Sequence, residues 1–257
     1  MADTVVEKWQ HLTRDLADYV QFMKEEGTTH VEAPAEVLSK PVPQPRSTSR
    51  MSPSSNNQAT PVSATAVGGE GDELSRIAAR VAECRLCGLC ETRKQTVPGQ
   101  GARRPELIFV GEGPGADEDE QGQAFVGRAG QLLTKMIEAM GFSRDEVWIG
   151  NIVKCRPPNN RVPTAEEMAA CMPYLKEQIA LLQPKVIVCL GATAVKGLLN
   201  PSDTISKVRG NWMSFEGIDT MPTFHPAYLL RNPPAKKFVW ADLKAVLERL
   251  GRPVPSN

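Results

Sequence analysis

From residue 73 onward, short apolar runs and amphipathic stretches take turns along the chain, and this alternation constrains the fold more than any other feature. The runs "ELIFVG" (106–111), "EVWIGNIV" (146–153), "KVIVCLG" (185–191) and "MPTFHP" (221–226) read as four buried strands. Around them, "ELSRIAARVAEC", "GQLLTKMIEAMG" (130–141), "TAEEMAACMPYLKEQIALLQP" (164–184), "ATAVKGLL" and "AKKFVWADLKAVLERLG" read as helices. Gly141 closes the second of these. Thr164 with Glu167 three residues later makes a capping box for the third. The alternation predicts an α/β fold, a mainly parallel four-stranded sheet with helices on both faces. Such sheets bind ligands at the carboxyl ends of their strands. Gly111-Glu112-Gly113, Asn151, Gly191 and His225 stand at those ends.

The 257 residues suit one ordinary domain plus an appendage. Three regions are expected: an N-terminal amphipathic helix within residues 1–27, a linker over 28–72, and the folded domain over 73–257. Val5, Trp9, Leu12, Leu16, Tyr19 and Met23 form one helical seam. Residues 28–72 are rich in Pro, Ser, Thr and Ala and nearly free of large apolar side chains, which predicts a disordered, flexible linker. The seam either docks on the main domain or binds a partner protein. Net charge is zero, but residues 1–72 hold 6 basic and 10 acidic residues against 24 and 20 in 73–257. The folded domain is therefore mildly basic, compatible with phosphate contacts but not diagnostic of them. No apolar run approaches the roughly 20 residues of a membrane span, and the N-terminus lacks an apolar signal core. The expectation is a cytoplasmic protein without membrane contact, in which six cysteines serve as free thiols or metal ligands.

Cys84 and Cys87 form a C-x-x-C pair, and Cys155 and Cys171 stand far away in sequence. Cys155 follows a strand and Cys171 lies on the next helix, so the two can meet in space. Four thiolates suit zinc or an iron–sulfur cluster, and spacing alone does not choose between them. Cys90 competes as a ligand, and Cys189 falls in mid-strand.

The stretch "GEGPGADEDEQGQAFVGRAG" (111–130) opens like a phosphate loop, but Pro114 and the acidic run after it suit a pyrophosphate poorly, and no P-loop lysine follows. A neutral planar ligand fits better. The glycines let backbone N–H groups approach a ligand edge. Phe125 offers a stacking face, and Asn151 offers a donor and an acceptor to a pyrimidine edge. His225, in "FHPAYLLRNP", can stabilise charge on a departing oxygen.

Over about residues 75–250 the chain resembles the family 4 uracil-DNA glycosylases, the iron–sulfur branch of the uracil glycosylase superfamily. The resemblance rests on "CRLCGLCETRKQTVPGQG", "GEGPGADEDEQGQAFVGRAGQLL", "NIVKCRPPNNRVPTAEE", the Cys155–Cys171 spacing and "HPAYLLRNP". It implies a three-layer αβα fold and a 4Fe-4S cluster on Cys84, Cys87, Cys155 and Cys171, with Cys90 outside the ligand set. It implies a monofunctional, monomeric hydrolase that releases uracil flipped out of single- or double-stranded DNA and leaves an abasic site for base excision repair. Gly113, Phe125, Asn151 and His225 would hold the base, with His225 donating to uracil O2. Glu112, Glu118 and Asn160 are the candidates for facing the sugar cation or orienting water. The best-known uracil glycosylases carry an aspartate in this turn where Gly113 stands, so the choice among the three stays open. Leu229 and Leu230 would wedge into the vacated base stack, with Arg231, Lys154, Arg156 and Arg161 on the DNA backbone. The alternatives are a related glycosylase of broader base specificity or a non-catalytic, polymerase-associated iron–sulfur module. A sister branch that uses an extra-loop histidine is excluded, because the histidines are His11, His30 and His225.

Overall fold

The computed structural model describes residues 73–199 and 204–255, and the helix and linker expected in residues 1–72 lie outside them. Six strands form one sheet: β1 (Gln100–Gly101), β2 (Leu107–Gly111), β3 (Trp148–Asn151), β4 (Val186–Leu190), β5 (Met213–Phe215) and β6 (Ile218–Thr223). Their order is β1-β3-β2-β4-β6-β5. The central four are parallel, as the alternation requires, and β1 and β5 pair antiparallel at the two edges. The four-stranded sheet expected from sequence is thus the centre of a six-stranded one. Two and three residues are too short to show periodicity, which is why both edges escape a sequence reading.

Every residue of β2 and β4 is buried. Parallel strands covered on both faces read as near-continuous apolar runs, and "LIFVG" and "VIVCL" are such runs. The chain leaves β2 through the helices Ala116–Gln121 and Arg128–Ala139 and enters β3 on one side. It then returns through the helix Ala165–Leu182 to β4, on the other side of β2. With right-handed crossovers, these two passages fall on opposite faces of the sheet. The direction of winding changes between β2 and its two neighbours, and a crevice opens at the carboxyl ends there.

The capping box holds: Thr164 Oγ1 accepts from Glu167 N at 3.2 Å, and Glu167 Oε2 accepts from Thr164 N at 2.8 Å. Arg161 adds a two-pronged ion pair to the same carboxylate, at 2.7 and 2.6 Å. Glu167 therefore ties the segment after Cys155 to the start of the helix that carries Cys171. The last parallel strand lies earlier than expected. It ends at Thr223, and His225 stands beyond it at the start of the helix Pro226–Arg231.

Candidate functional site

The base of the crevice is built by strand register. Gly111 pairs with Asn151, and the ladder runs on through Ile152 N to Gly111 O at 2.9 Å and Val153 N to Glu112 O at 3.1 Å. Asn151 is 1% exposed, and its side-chain Oδ1 has no hydrogen-bond partner within the described protein. A buried, unpaired acceptor costs about 1–3 kcal/mol. A donor arriving from outside would satisfy it.

Phe125 supplies the wall beside it. A Cβ on Gly111 would come within 2.5 Å of Phe125 Cζ and 2.6 Å of Asn151 Oδ1. Glycine here lets the ring and the amide share one corner. Phe125 itself has φ +55°, a left-handed conformation unusual for a bulky residue.

His225 caps the helix Pro226–Arg231, its Nδ1 accepting from Ala227 N at 3.1 Å. A backbone N–H can only donate, so Nδ1 carries the lone pair and the neutral ring keeps its proton on Nε2. Desolvation, with Arg231 adding to it, pushes the imidazole down to about 4. The ring is therefore a neutral Nε2–H donor at physiological pH. It lies 5.5 Å from the Phe125 ring, tilted by 31°. The approach to it is pinned from behind. Thr223 Oγ1 donates to Asp242 Oδ2 at 2.6 Å, and Arg209 bonds both oxygens of the same carboxylate.

The three candidates for handling water occupy different settings. Glu112 stands directly after β2, with Thr193 Oγ1 donating to its Oε2. Glu118 serves the loop: Oε1 accepts from Val126 N and Gly127 N, both at 2.9 Å, and Oε2 from Gly115 N at 3.1 Å. Asn160 is exposed, and its Oδ1 accepts from Arg156 Nε at 2.7 Å. Gly113 lies beside Val153 and Pro157. Thr193, Arg209 and Asp242 were not among the residues singled out from sequence. Only Thr193 carried a signal, two residues past the strand-end Gly191.

Two residues expected on DNA are placed elsewhere. Lys154 is fully buried, its Nζ donating to Asn151 O at 2.9 Å and lying over the Trp148 ring. It supports the strand end from within, because the segment after β3 turns inward before Cys155. Leu229 is 1% exposed and belongs to the core, whereas Leu230, on the outer side of the same short helix, is 37% exposed. Arg161 is exposed but already paired with Glu167. Arg156 and Arg231 are half-buried.

The cysteines converge. Cys84, Cys87, Cys90, Cys155 and Cys171 line one cavity with Leu86, Leu89, Arg93 and Tyr174. Among the described residues no three His, Cys, Asp or Glu side chains are grouped closely enough to hold a metal ion. Burial raises the thiols of Cys87 and Cys155 and pushes Cys171 up to about 11. Arg93 Nη1 donates to Cys155 Sγ at 3.0 Å, and the Lys154 backbone N–H donates to Cys171 Sγ at 3.2 Å. Cys87 feels the charge of Cys84 and Cys90, Cys155 that of Cys87 and Cys84, and Cys171 that of Cys155 and Cys87. Cys189 sits in the middle of β4, fully buried and away from the cavity.

Residues 98–244 match the family model of the uracil DNA glycosylase superfamily. The chain is 45% identical over 186 residues to a type-4 uracil-DNA glycosylase of Sulfurisphaera tokodaii, covering 69% of this chain and 84% of that protein. It is 44% identical over 188 residues to the type-4 enzyme of Saccharolobus solfataricus, covering 70% and 87%. With that of Thermotoga maritima it shares 49% identity over 166 residues, covering 63% and 85%. The matched span contains Glu112, Phe125, Asn151 and His225. On these grounds the chain belongs to the uracil DNA glycosylase superfamily and, within it, to the type-4 uracil-DNA glycosylases.

Proposed function

We propose that this protein hydrolyses the N-glycosidic bond of deoxyuridine flipped out of DNA, releasing uracil and leaving an abasic site. The observation that carries the reading is the buried, partnerless Asn151 Oδ1 beside the Phe125 ring. A donor on the edge of a flat ligand lying against Phe125 would satisfy that atom. Uracil presents N3–H on its Watson–Crick edge, whereas cytosine presents a lone pair at the same place and leaves Oδ1 unpaired. Thymine shares uracil's edge, so discrimination against it lies at C5 and not with Asn151. A base inside a duplex cannot reach this crevice unless it is extruded, at a cost of a few kcal/mol.

Bond cleavage develops negative charge on the uracil and positive charge on the sugar. Both must be stabilised by groups already in place. His225 acts on the first as a neutral Nε2–H donor to uracil O2, its orientation fixed by Ala227 N. Glu112 acts on the second. It stands at the strand end with Thr193 holding one oxygen, and it orients the attacking water or faces the sugar cation. Glu112 is favoured because it stands at the carboxyl end of β2, whereas Glu118 serves the loop backbone. Leu230 fits the role of wedge, and Arg231 and Arg156 fit phosphate contacts.

Cys84, Cys87, Cys155 and Cys171 would hold a 4Fe-4S cluster. The donor set fits: all four line one cavity. Bound there, the cluster would cross-link the segment after Cys84 to the Cys155–Cys171 segment. Replacing Cys171 with Ser is expected to lower iron and acid-labile sulfide in anaerobically purified protein and to reduce its melting temperature. Stoichiometric zinc without iron in the unaltered protein would overturn the assignment.

The function is tested with oligonucleotides carrying U, T, hypoxanthine or C, single- and double-stranded, followed by alkaline cleavage. Alkali-dependent strand breaks at U alone are expected. Breaks at hypoxanthine or T at comparable rates would favour an enzyme of broader specificity, and none at U would favour a binding module. The region over residues 1–27, outside the described residues, is a candidate for contact with a protein partner, and the enzyme is proposed to act as a monomer in the cytoplasm.

A further inference from the structure

Phe125 is held in its left-handed conformation by charged groups of opposite sign on either side. The Glu118 carboxylate takes the N–H groups that follow the ring, at Val126 and Gly127. On the preceding side, the Arg144 guanidinium donates through Nη2 to Ala124 O. Its Nη1 donates to Thr134 Oγ1 at 3.1 Å, and Thr134 Oγ1 donates in turn to Gly130 O at 3.1 Å. Gly130 is the residue against which the Phe125 backbone packs, so closely that a Cβ there would overlap the Phe125 carbonyl. Arg144 thus reaches both the peptide before Phe125 and the helix turn beneath it. Gln100 completes the grip, its Oε1 accepting from Ala124 N at 3.3 Å.

The placement of Arg144 is costly unless it has a task. Burial lowers its affinity for the proton, and the nearby Glu118 and Asp145 partly restore it. It stands just before β3, beyond the contiguous 111–130 stretch, and it has no place in base contact or bond cleavage. A bulky residue at positive φ carries on the order of 1–3 kcal/mol of strain and persists only where its surroundings over-determine it. Arg144 and Glu118 supply that over-determination.

We propose that Arg144 is a positioning residue that fixes the Phe125 ring against the Gly111–Asn151 corner, so that the flipped base meets a stacking face already in place. The assignment rests on the reading of Phe125 as that face. Arg144 acts through Phe125 and touches no substrate. A misplacement of about 1 Å can cost up to a hundredfold in rate, and the loss falls on the chemical step more than on DNA binding.

The test is a double-mutant cycle with Arg144→Met and Phe125→Ala, read by single-turnover excision from a uracil-containing single-stranded oligonucleotide. Melting temperature and DNA affinity are measured on the same samples. Arg144→Met is expected to slow excision roughly tenfold to a hundredfold with DNA affinity retained. In the Phe125→Ala background the same change is expected to have almost no effect, because the ring it serves is gone. A general structural defect would slow both backgrounds by the same factor, and that result would overturn the proposal. So would Arg144→Met excising at the unaltered rate. If Phe125→Ala alone excised at the unaltered rate, the stacking reading itself would fall, and the proposal with it. Thr134→Val removes one arm of the network without removing the charge. It repeats the cycle if Arg144→Met does not fold, with a smaller loss and the same dependence on Phe125.

Discussion

Asn151→Ala is expected to lower uracil excision by about two to three orders of magnitude, the scale seen when one donor or acceptor aimed at a reacting group is removed. DNA affinity should stay within a few-fold, because the backbone contacts that supply most of it lie elsewhere. The geometry makes the prediction sharp. The side chain is buried, Oδ1 has no partner within the described protein, and the position sits in register with Gly111. Truncation removes the acceptor that meets uracil N3–H and also opens space beside the Phe125 ring. Single-turnover rates and fluorescence-anisotropy binding on one oligonucleotide separate the two effects. Excision at the unaltered rate would remove Asn151 from the site. Gly111→Ala provides an independent check, since its methyl would enter the same corner and displace the ring, the amide, or both.

His225→Ala should cost about 10²–10³ in the rate of bond cleavage, again with DNA binding retained. The pH dependence distinguishes this role from that of a general acid. The folded imidazole titrates near 4, against its ordinary value of 6.5. From pH 8 down to about 5 the ring stays neutral and keeps Nε2–H, so the excision rate should show no His225-dependent inflection near 6.5. Protonation below about 4 puts a proton on Nδ1, where Ala227 N now donates, and breaks the cap. The stability effect has a definite sign. The unfolded ring gains a proton around 6.5 while the folded one does not, so this stabilisation is complete above 6.5 and lost as pH falls toward 4. A rate profile with a His225-dependent inflection between 6 and 7 would show that the ring is charged in the working enzyme.

The candidate site could be assembled from sequence because its residues stand at strand ends. The apolar runs of β2 and β4 are unmistakable, and the chain can do little after such a strand except turn at the crevice. Glu112 and Asn151 were therefore placed at the strand ends by sequence, and the structure puts them there. His225 stands past the strand as a helix cap. What could not be read was depth. A lysine flanked by Val153 and Cys155 looks like any basic residue near DNA, yet Lys154 spends its charge on a backbone carbonyl inside the protein. Two adjacent leucines in a six-residue helix look alike, and only packing distinguishes the buried Leu229 from the exposed Leu230. Nor does any sequence period link Arg144 to Ala124, or Arg209 to Asp242. Those contacts exist because the sheet order brings distant segments together.

That sheet order also governs when the crevice comes into being. Glu106 and Lys185, at the starts of β2 and β4, lie 79 residues apart in the chain, and Glu112 and Thr193 lie 81 apart. Loop closure over such spans is slow and precedes any reward from contact. The Gly111–Asn151 pairing needs only β2 and β3, whereas the Glu112–Thr193 contact needs the segment after β4 as well, and the position of His225 depends on β4 and β6.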